Sequence, residues 1–160
     1  FTADHGLSVG HHGLMGKQNM YDHSVRVPLI VRGPGIAAGK RIDAQVYLQD
    51  VMPTTLDWAG VEKPETVAFR SLAPLLSSDT GAHYDAIYGA YIDRQRMVTD
   101  GEFKLIHYPS IDKTLLFDLR NDPNEMVDLA ESPKYADKVA ALWARLEALQ
   151  KEMGDELVLR

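Results

Sequence analysis

Cysteine is absent from the chain, so neither a disulfide framework nor a thiolate metal site can form within it. Long apolar runs are also missing. None approaches the roughly 20 residues needed to cross a bilayer, and no membrane span is expected. Excess positive charge is missing as well. The formal net charge is -6 and the isoelectric point about 5.4, which leaves no basic footprint for neutralising phosphates and argues against nucleic acid as a partner. An anionic small molecule is not excluded, because one local lysine or arginine suffices to meet it. What remains is a globular composition, 45% hydrophobic and 25% charged over 160 residues, enough for one domain or for a small domain with part of another.

The chemistry is concentrated at the start. Phe1 to Gly35 carries Asp4, Lys17, the histidines His5, His11, His12 and His23, and Gly6, Gly10, Gly13 and Gly16, then runs into an apolar segment. Phe1-Thr2-Ala3 reads as the end of a strand that begins elsewhere, so the sequence is read as a piece of a longer protein. The glycines predict an irregular loop over residues 4–20 with at most one helical turn. Val25 to Val31 reads as a strand with Leu29-Ile30-Val31 as its core and Pro28 at its start, ended by Gly33-Pro34-Gly35.

Asp50 reads as the N-cap of a helix of about two and a half turns, with Pro53 in the first turn and Gly60 at the end. Its apolar face is Val51, Met52, Leu56 and Ala59. Residues 61–82 read as a connection with an apolar anchor from Leu72 to Leu76, and Ser77 to Gly81 suggests a boundary near 77–83. Ala86–Ile92, Arg96–Thr99, Phe103–Tyr108 and Leu115–Leu119 then read as four strands, the second and third joined at Asp100-Gly101 by a two-residue hairpin. After the turn Asn121 to Asn124, Ser132 and Pro133 open a last helix as N-cap and first residue. Val139, Leu142, Leu146, Leu149 and Met153 give it a single apolar stripe, expected to lie across a four-stranded antiparallel sheet.

Asp4 and His5 are adjacent, and the glycine after them lets the backbone turn so that both reach one point. A carboxylate beside an imidazole suits a divalent ion: oxygen favours calcium, magnesium or manganese, and nitrogen admits zinc or iron. Two ligands do not close a site, and on spacing alone such a pair is more often a solvated turn. Lys17, in the same loop, would be repelled by a metal unless an anion lay between them. That groups Asp4, His5 and Lys17 as an anion site, against the ordinary alternative of a surface lysine. His11, His12 and His23 add donors or proton carriers, although each taken alone is more often a plain loop residue.

Thr2 to Gly6, Gly10-His11-His12-Gly13, Gly16-Lys17, Met20-Tyr21 and Ser24 to Ile30 together resemble the C-terminal metal-and-lysine motif of the type I sulfatases, the arylsulfatase-like members of the alkaline phosphatase superfamily. The likeness continues through Asp50 to Val61 and Ser71 to Leu76. It ends with Arg96 to Ile106 and Leu116 to Glu125, which resemble that family's last-domain motif. It covers nearly the whole chain in order. The resemblance implies an α/β protein, the C-terminal portion of an alkaline-phosphatase-like sulfatase fold. Residues 1–82 would belong to the large α/β domain, and 83–160 would form a small α+β domain with the antiparallel sheet and the C-terminal helix.

The resemblance also implies a sulfuric ester hydrolase, acting on a sulfate ester or a sulfamate. Asp4 and His5 would bind the metal, Ca2+ first, with Mg2+, Mn2+ or Zn2+ as alternatives, and Lys17 would contact the sulfate. His12 matches a loop histidine of the family and is kept as a second catalytic candidate, while His5 stands where many members have asparagine, which leaves the metal's identity open. The family nucleophile is a formylglycine made within a Cys/Ser-x-Pro/Ala-x-Arg motif, which these residues do not contain. It is expected in a missing N-terminal part, and the chain alone is expected to be inactive. Tyr91 and Arg94, in a strip with Tyr88 and Arg96, are candidate contacts for the substrate, an aryl sulfate or a sulfated carbohydrate. One alternative is a phosphodiesterase or phosphonate monoester hydrolase on the same fold. Another is a non-catalytic module that forms homo-oligomers through an exposed sheet edge.

Overall fold

The computed structural model describes residues 1–77 and 83–159. The boundary expected near 77–83 lies in the stretch outside the described residues. The chain divides into two compact units, one formed by Phe1 and Leu29–Asp85, the other by Thr2–Pro28 and Ala86–Arg160. Thr2–Pro28 is thus grouped with the later part of the chain.

The histidine-rich loop carries a small antiparallel ladder, β1 (Ser8–Val9) with β2 (Met15–Gly16), closed over a 3-10 turn at His11–Gly13. The buried Ser8 hydroxyl lies 2.9 and 3.0 Å from the His11 and Leu14 carbonyls, which share its one proton, and it ties the ladder shut. A single helical turn follows, α1 (Asp22–Val25). The strand expected over Val25 to Val31 is not formed. Val25 closes α1; further on, Leu29 is a bridge residue and Ile30 exchanges backbone bonds with Phe1 at 2.7 and 2.8 Å.

In the first unit, α2 (Val51–Trp58) has the expected length, but of its expected apolar face Val51 and Met52 are exposed and Leu56 is half-buried, whereas Pro53 and Thr54 are buried. Asp50 does not cap α2 with its side chain. Its fully buried carboxylate accepts from Tyr47 N at 2.8 Å, Arg70 N at 3.1 Å and the Tyr84 hydroxyl at 2.8 Å, so it joins separate segments of the unit. The Leu72–Leu76 anchor is α3 (Ala73–Ser77), with Leu72 and Leu75 buried.

The second unit is built on a meander of β3 (Ile87–Tyr91), β4 (Gln95–Thr99), β5 (Phe103–Tyr108) and β6 (Lys113–Asp118), paired in that order and antiparallel throughout. The β4–β5 connection is longer than the expected two residues. Asp100 Oδ1 accepts from Glu102 N and Phe103 N at 3.0 and 2.7 Å, and Gly101 takes the left-handed conformation. α4 (Ala136–Glu152) follows a 3-10 turn at Pro133–Tyr135, so Ser132 opens that turn and gives no side-chain cap. Leu142, Leu146 and Leu149 of α4 are buried against Val98, Leu105 and Leu116 on one face of the sheet. The stripe ends there, because Met153 lies beyond the helix and is exposed.

The opposite face carries Met97, Ile106 and Phe117, and it is covered by Met20 and half-buried Tyr21 of the loop. Gly89 makes room for this: a Cβ there would come within 2.9 Å of Met97 Cε and 3.1 Å of Met20 Sδ. The sheet is thus the floor on which the histidine-rich loop rests. Among the described residues, no helix is long and apolar enough to cross a membrane.

The chain's tail is sewn to the same sheet. Asp155 accepts from Arg96 Nε at 2.5 Å, from Arg96 Nη2 at 3.1 Å and from the Tyr88 hydroxyl, while His107 Nε2 meets the Leu159 carbonyl at 2.9 Å. Tyr88 and Arg96 are therefore buried tethers and do not form an open strip with Tyr91 and Arg94. Burial alone would raise the Asp155 carboxyl, but the hydrogen bonds from Arg96, Tyr88 and Leu157 N outweigh it and pull the carboxyl down to about 2. A depressed carboxyl stabilises the fold above the unfolded value of about 4 and loses that contribution as pH falls through the folded value. Acid titration of wild type against Asp155→Asn should show the stability difference shrinking between about pH 4 and about pH 2. A constant difference across that window would rule the linkage out.

Candidate active site

Asp4, His5 and Lys17 are brought together by the loop. His5 Nδ1 donates to its neighbour's carbonyl, Gly6 O, at 2.8 Å, which requires the Nδ1–H tautomer and leaves the Nε2 lone pair available. That nitrogen lies 3.4 Å from Asp4 Oδ2, and the Lys17 ammonium donates to it. Asp4 Oδ1 accepts from His5 N at 3.1 Å, so the carboxylate folds back over its own neighbour. Asp4 is 86% exposed and His5 only 36%, so the imidazole is seated and the carboxylate is open to solvent.

The donor set fits a divalent cation in chemistry: one hard oxygen ligand and one imidazole nitrogen, converging on a point already met by a cation, the Lys17 ammonium. It is a partial shell. Among the described residues, no group of three or more histidine, aspartate or glutamate side chains could hold a metal ion, so further ligands would have to come from outside this set.

His12 belongs to a second cluster. Its ring stacks on Tyr21 with centroids 4.1 Å apart, and His11 and His23 lie 4.9 and 5.7 Å away. The backbone of His12 is left-handed at φ 53, uncommon for a residue with a side chain and typical of a position held by its surroundings. Nε2 of His12 and of His23 are buried and make no hydrogen bond. Burial first, then the neighbouring His12, His11 and Lys104, hold His23 below the ordinary histidine range, with Asp22 opposing; His23 is thus favoured as a neutral ring.

Tyr91 is half-buried at the end of β3 and packs against the Met20, Met97, Ile106 and Phe117 cluster. Arg94 stands in the β3–β4 turn, 67% exposed, 3.3 Å from the equally open Asp93, a pairing of small energetic consequence. That hairpin is tied to the loop by Gln95 Oε1, which accepts from Met20 N at 3.1 Å. Sequence reasoning passed over Gln95, and it also missed Asp22, Lys104 and Glu125, which meet in a buried ionic cluster beneath α1. In the sequence each of these three reads as an ordinary charged residue, and no local pattern joins them; only the fold shows Lys104 at 0% exposure.

Comparison with known proteins places these features in a family. Residues 10–152 match the model of the N-sulphoglucosamine sulphohydrolase C-terminal family. The chain is 35% identical to an N-acetylglucosamine-6-O-sulfatase of Bacteroides thetaiotaomicron, over 97% of this chain and 30% of that protein. Among solved structures it is similar to BT4656 in complex with D-glucosamine-2-N,6-O-disulfate, with TM-score 0.82 and 32% identity over 97% of this chain and 34% of that one. It is also similar to the phosphonate monoester hydrolase of Agrobacterium radiobacter, with TM-score 0.82 and 26% identity over 95% of this chain and 34% of that one. The chain thus spans about a third of the length of these relatives. Matched along nearly its whole length, with the four-stranded meander and the C-terminal helix of these structures, it belongs to the sulfatase C-terminal family.

Proposed function

We propose that this chain is the C-terminal part of a sulfuric ester hydrolase and supplies part of its reactive centre. The observation that carries this reading is the convergence of Asp4, His5 Nε2 and Lys17 on one point. Asp4 and His5 hold a divalent cation, Ca2+ in the first instance, which when bound polarises the sulfuryl group. Lys17 neutralises the charge that develops on the sulfuryl oxygens. His5 is kept in the correct tautomer by Gly6 O. His12, its ring held by Tyr21, is the candidate proton donor to the leaving alcohol. The nucleophile, a formylglycine, and the remaining metal ligands come from sequence beyond these residues. Tyr91 and Arg94 border the substrate, and the similarity to an N-acetylglucosamine-6-O-sulfatase favours a sulfated amino sugar.

A second reading, phosphonate monoester hydrolysis, is favoured by the likeness to such an enzyme. Metal and lysine would serve a phosphoryl oxyanion equally well. The deciding experiment is a paired assay of the intact protein on aryl sulfate and aryl phosphonate esters, with and without a chelator. Chelator-sensitive sulfate release is the expected result. Preferential phosphonate cleavage would replace the sulfatase reading, and activity indifferent to the chelator would remove the metal.

A further inference from the structure

We infer that the buried cluster of Lys104, Asp22 and Glu125 is a positioning device for the His5 imidazole, acting through α1. Lys104, the second residue of β5, is fully buried, and its ammonium bonds both Asp22 Oδ1 and Glu125 Oε1, the latter at 2.7 Å. Glu125 uses its second oxygen, Oε2, to accept from Asp22 N at 2.6 Å. One carboxylate therefore grips both the lysine head and the first backbone N–H of α1, which fixes where that turn sits and how it points.

A four-residue helical turn has no stability of its own, so α1 goes where its tertiary contacts hold it. From α1 the geometry runs directly to the reactive centre. Gly6 N donates to Ser24 O at 2.8 Å, and Gly6 lies against the His23 carbonyl with no room for a Cβ. Gly6 O in turn accepts from His5 Nδ1, which selects the tautomer and aims Nε2 at Asp4 and Lys17. The chain of contacts is thus Lys104 and Glu125 to Asp22, α1 to Gly6, and Gly6 to His5. Glu125 is itself held at φ 57, a conformation that the turn after β6 imposes on a residue with a side chain. A buried ion pair is a poor source of stability compared with apolar packing, and its directional bonds are what apolar packing could not supply.

The inference rests on the reading that places His5 at the reactive centre, and its test separates the two. The intact protein, free of metal and labelled with 15N-histidine, is examined by long-range imidazole correlation, with His5 assigned by a His5→Gln variant. Wild type should show His5 as a single Nδ1–H tautomer. The Nε2–H tautomer, or exchange between the two, would overturn the inference before any cluster variant is made. Lys104→Met should convert the His5 signal to a mixture and weaken divalent-ion binding, measured calorimetrically, by about 10- to 100-fold, the usual cost of losing a group that orients a ligand. Should Lys104→Met fail to fold, Lys104→Met/Glu125→Leu removes both charges in favour of apolar volume and decides the matter. Glu125→Gln, which retains an acceptor for Asp22 N, should keep most of the tautomer signal. A folded double variant with unchanged His5 signals and ion affinity would reduce the cluster to scaffolding. A protein that gives the expected signals yet cleaves no sulfate ester keeps this inference and loses the sulfatase reading, since neither readout involves an ester.

Discussion

Lys17→Ala is expected to lower kcat of the intact protein about 10²- to 10³-fold, the usual cost of removing one preorganised charge-stabilising donor. The lysine is exposed on the loop between β2 and α1, and its ammonium contacts His5 Nε2. Its removal leaves no cavity and no buried unpaired group, so stability should move by no more than about 0.5 kcal/mol, as for ordinary surface substitutions. The separation of the two effects is the point of the experiment. If the ammonium acts on charge that appears only in the transition state, kcat and kcat/KM fall together, whereas a loss confined to KM would make it a ground-state binding group. Near-normal turnover in a folded variant would take Lys17 out of the reactive centre.

Gly6→Ala is the second large effect, and its cause is steric. The new Cβ would fall on the His23 carbonyl oxygen and come within 2.9 Å of the carbonyl carbon. Both obstacles are backbone, so no side chain can swing away. Either the Gly6 N to Ser24 O bond opens or α1 shifts, and each moves the carbonyl that holds His5. A displacement on the order of 1 Å at a positioned group costs about 10²-fold in rate. Overpacking adds about 1–3 kcal/mol of destabilisation. Both are read from one preparation, by steady-state kinetics and by the urea midpoint. Unchanged kinetics would mean that the His5 ring is not held through Gly6.

The sequence was most legible where local rules act alone. Asp100 and Gly101 mark the reversal between β4 and β5, and Leu142, Leu146 and Leu149 mark the buried side of α4, because turn chemistry and helical period need no knowledge of distant residues. It was misleading where the environment decides. Val51 and Met52 are apolar, but α2 turns Pro53 and Thr54 inward instead. Asp50 has the right identity and place for a helix cap, yet stronger demand from Tyr47, Arg70 and Tyr84 takes its carboxylate elsewhere. At the candidate site, the grouping of Asp4, His5 and Lys17 could be argued from charge and glycine spacing. The supporting cluster could not, because Asp22, Lys104 and Glu125 are far apart in sequence and each alone looks like an ordinary surface charge. Their meeting is a product of β5 being covered on both faces.

The grouping of Thr2–Pro28 with Ala86–Arg160 has a consequence for how such proteins can be recombined. A crossover near residue 85 looks natural, since a compact unit ends there. It would nevertheless separate Asp22 from the lysine and glutamate that neutralise it, and Met20 from the glycine that makes room for it. A chimera assembled from two parents at that seam inherits one parent's loop on the other parent's floor. The heritable unit is therefore discontinuous: positions 20, 22, 89, 104 and 125 must be exchanged as a set, and drift at any one of them is felt at the others.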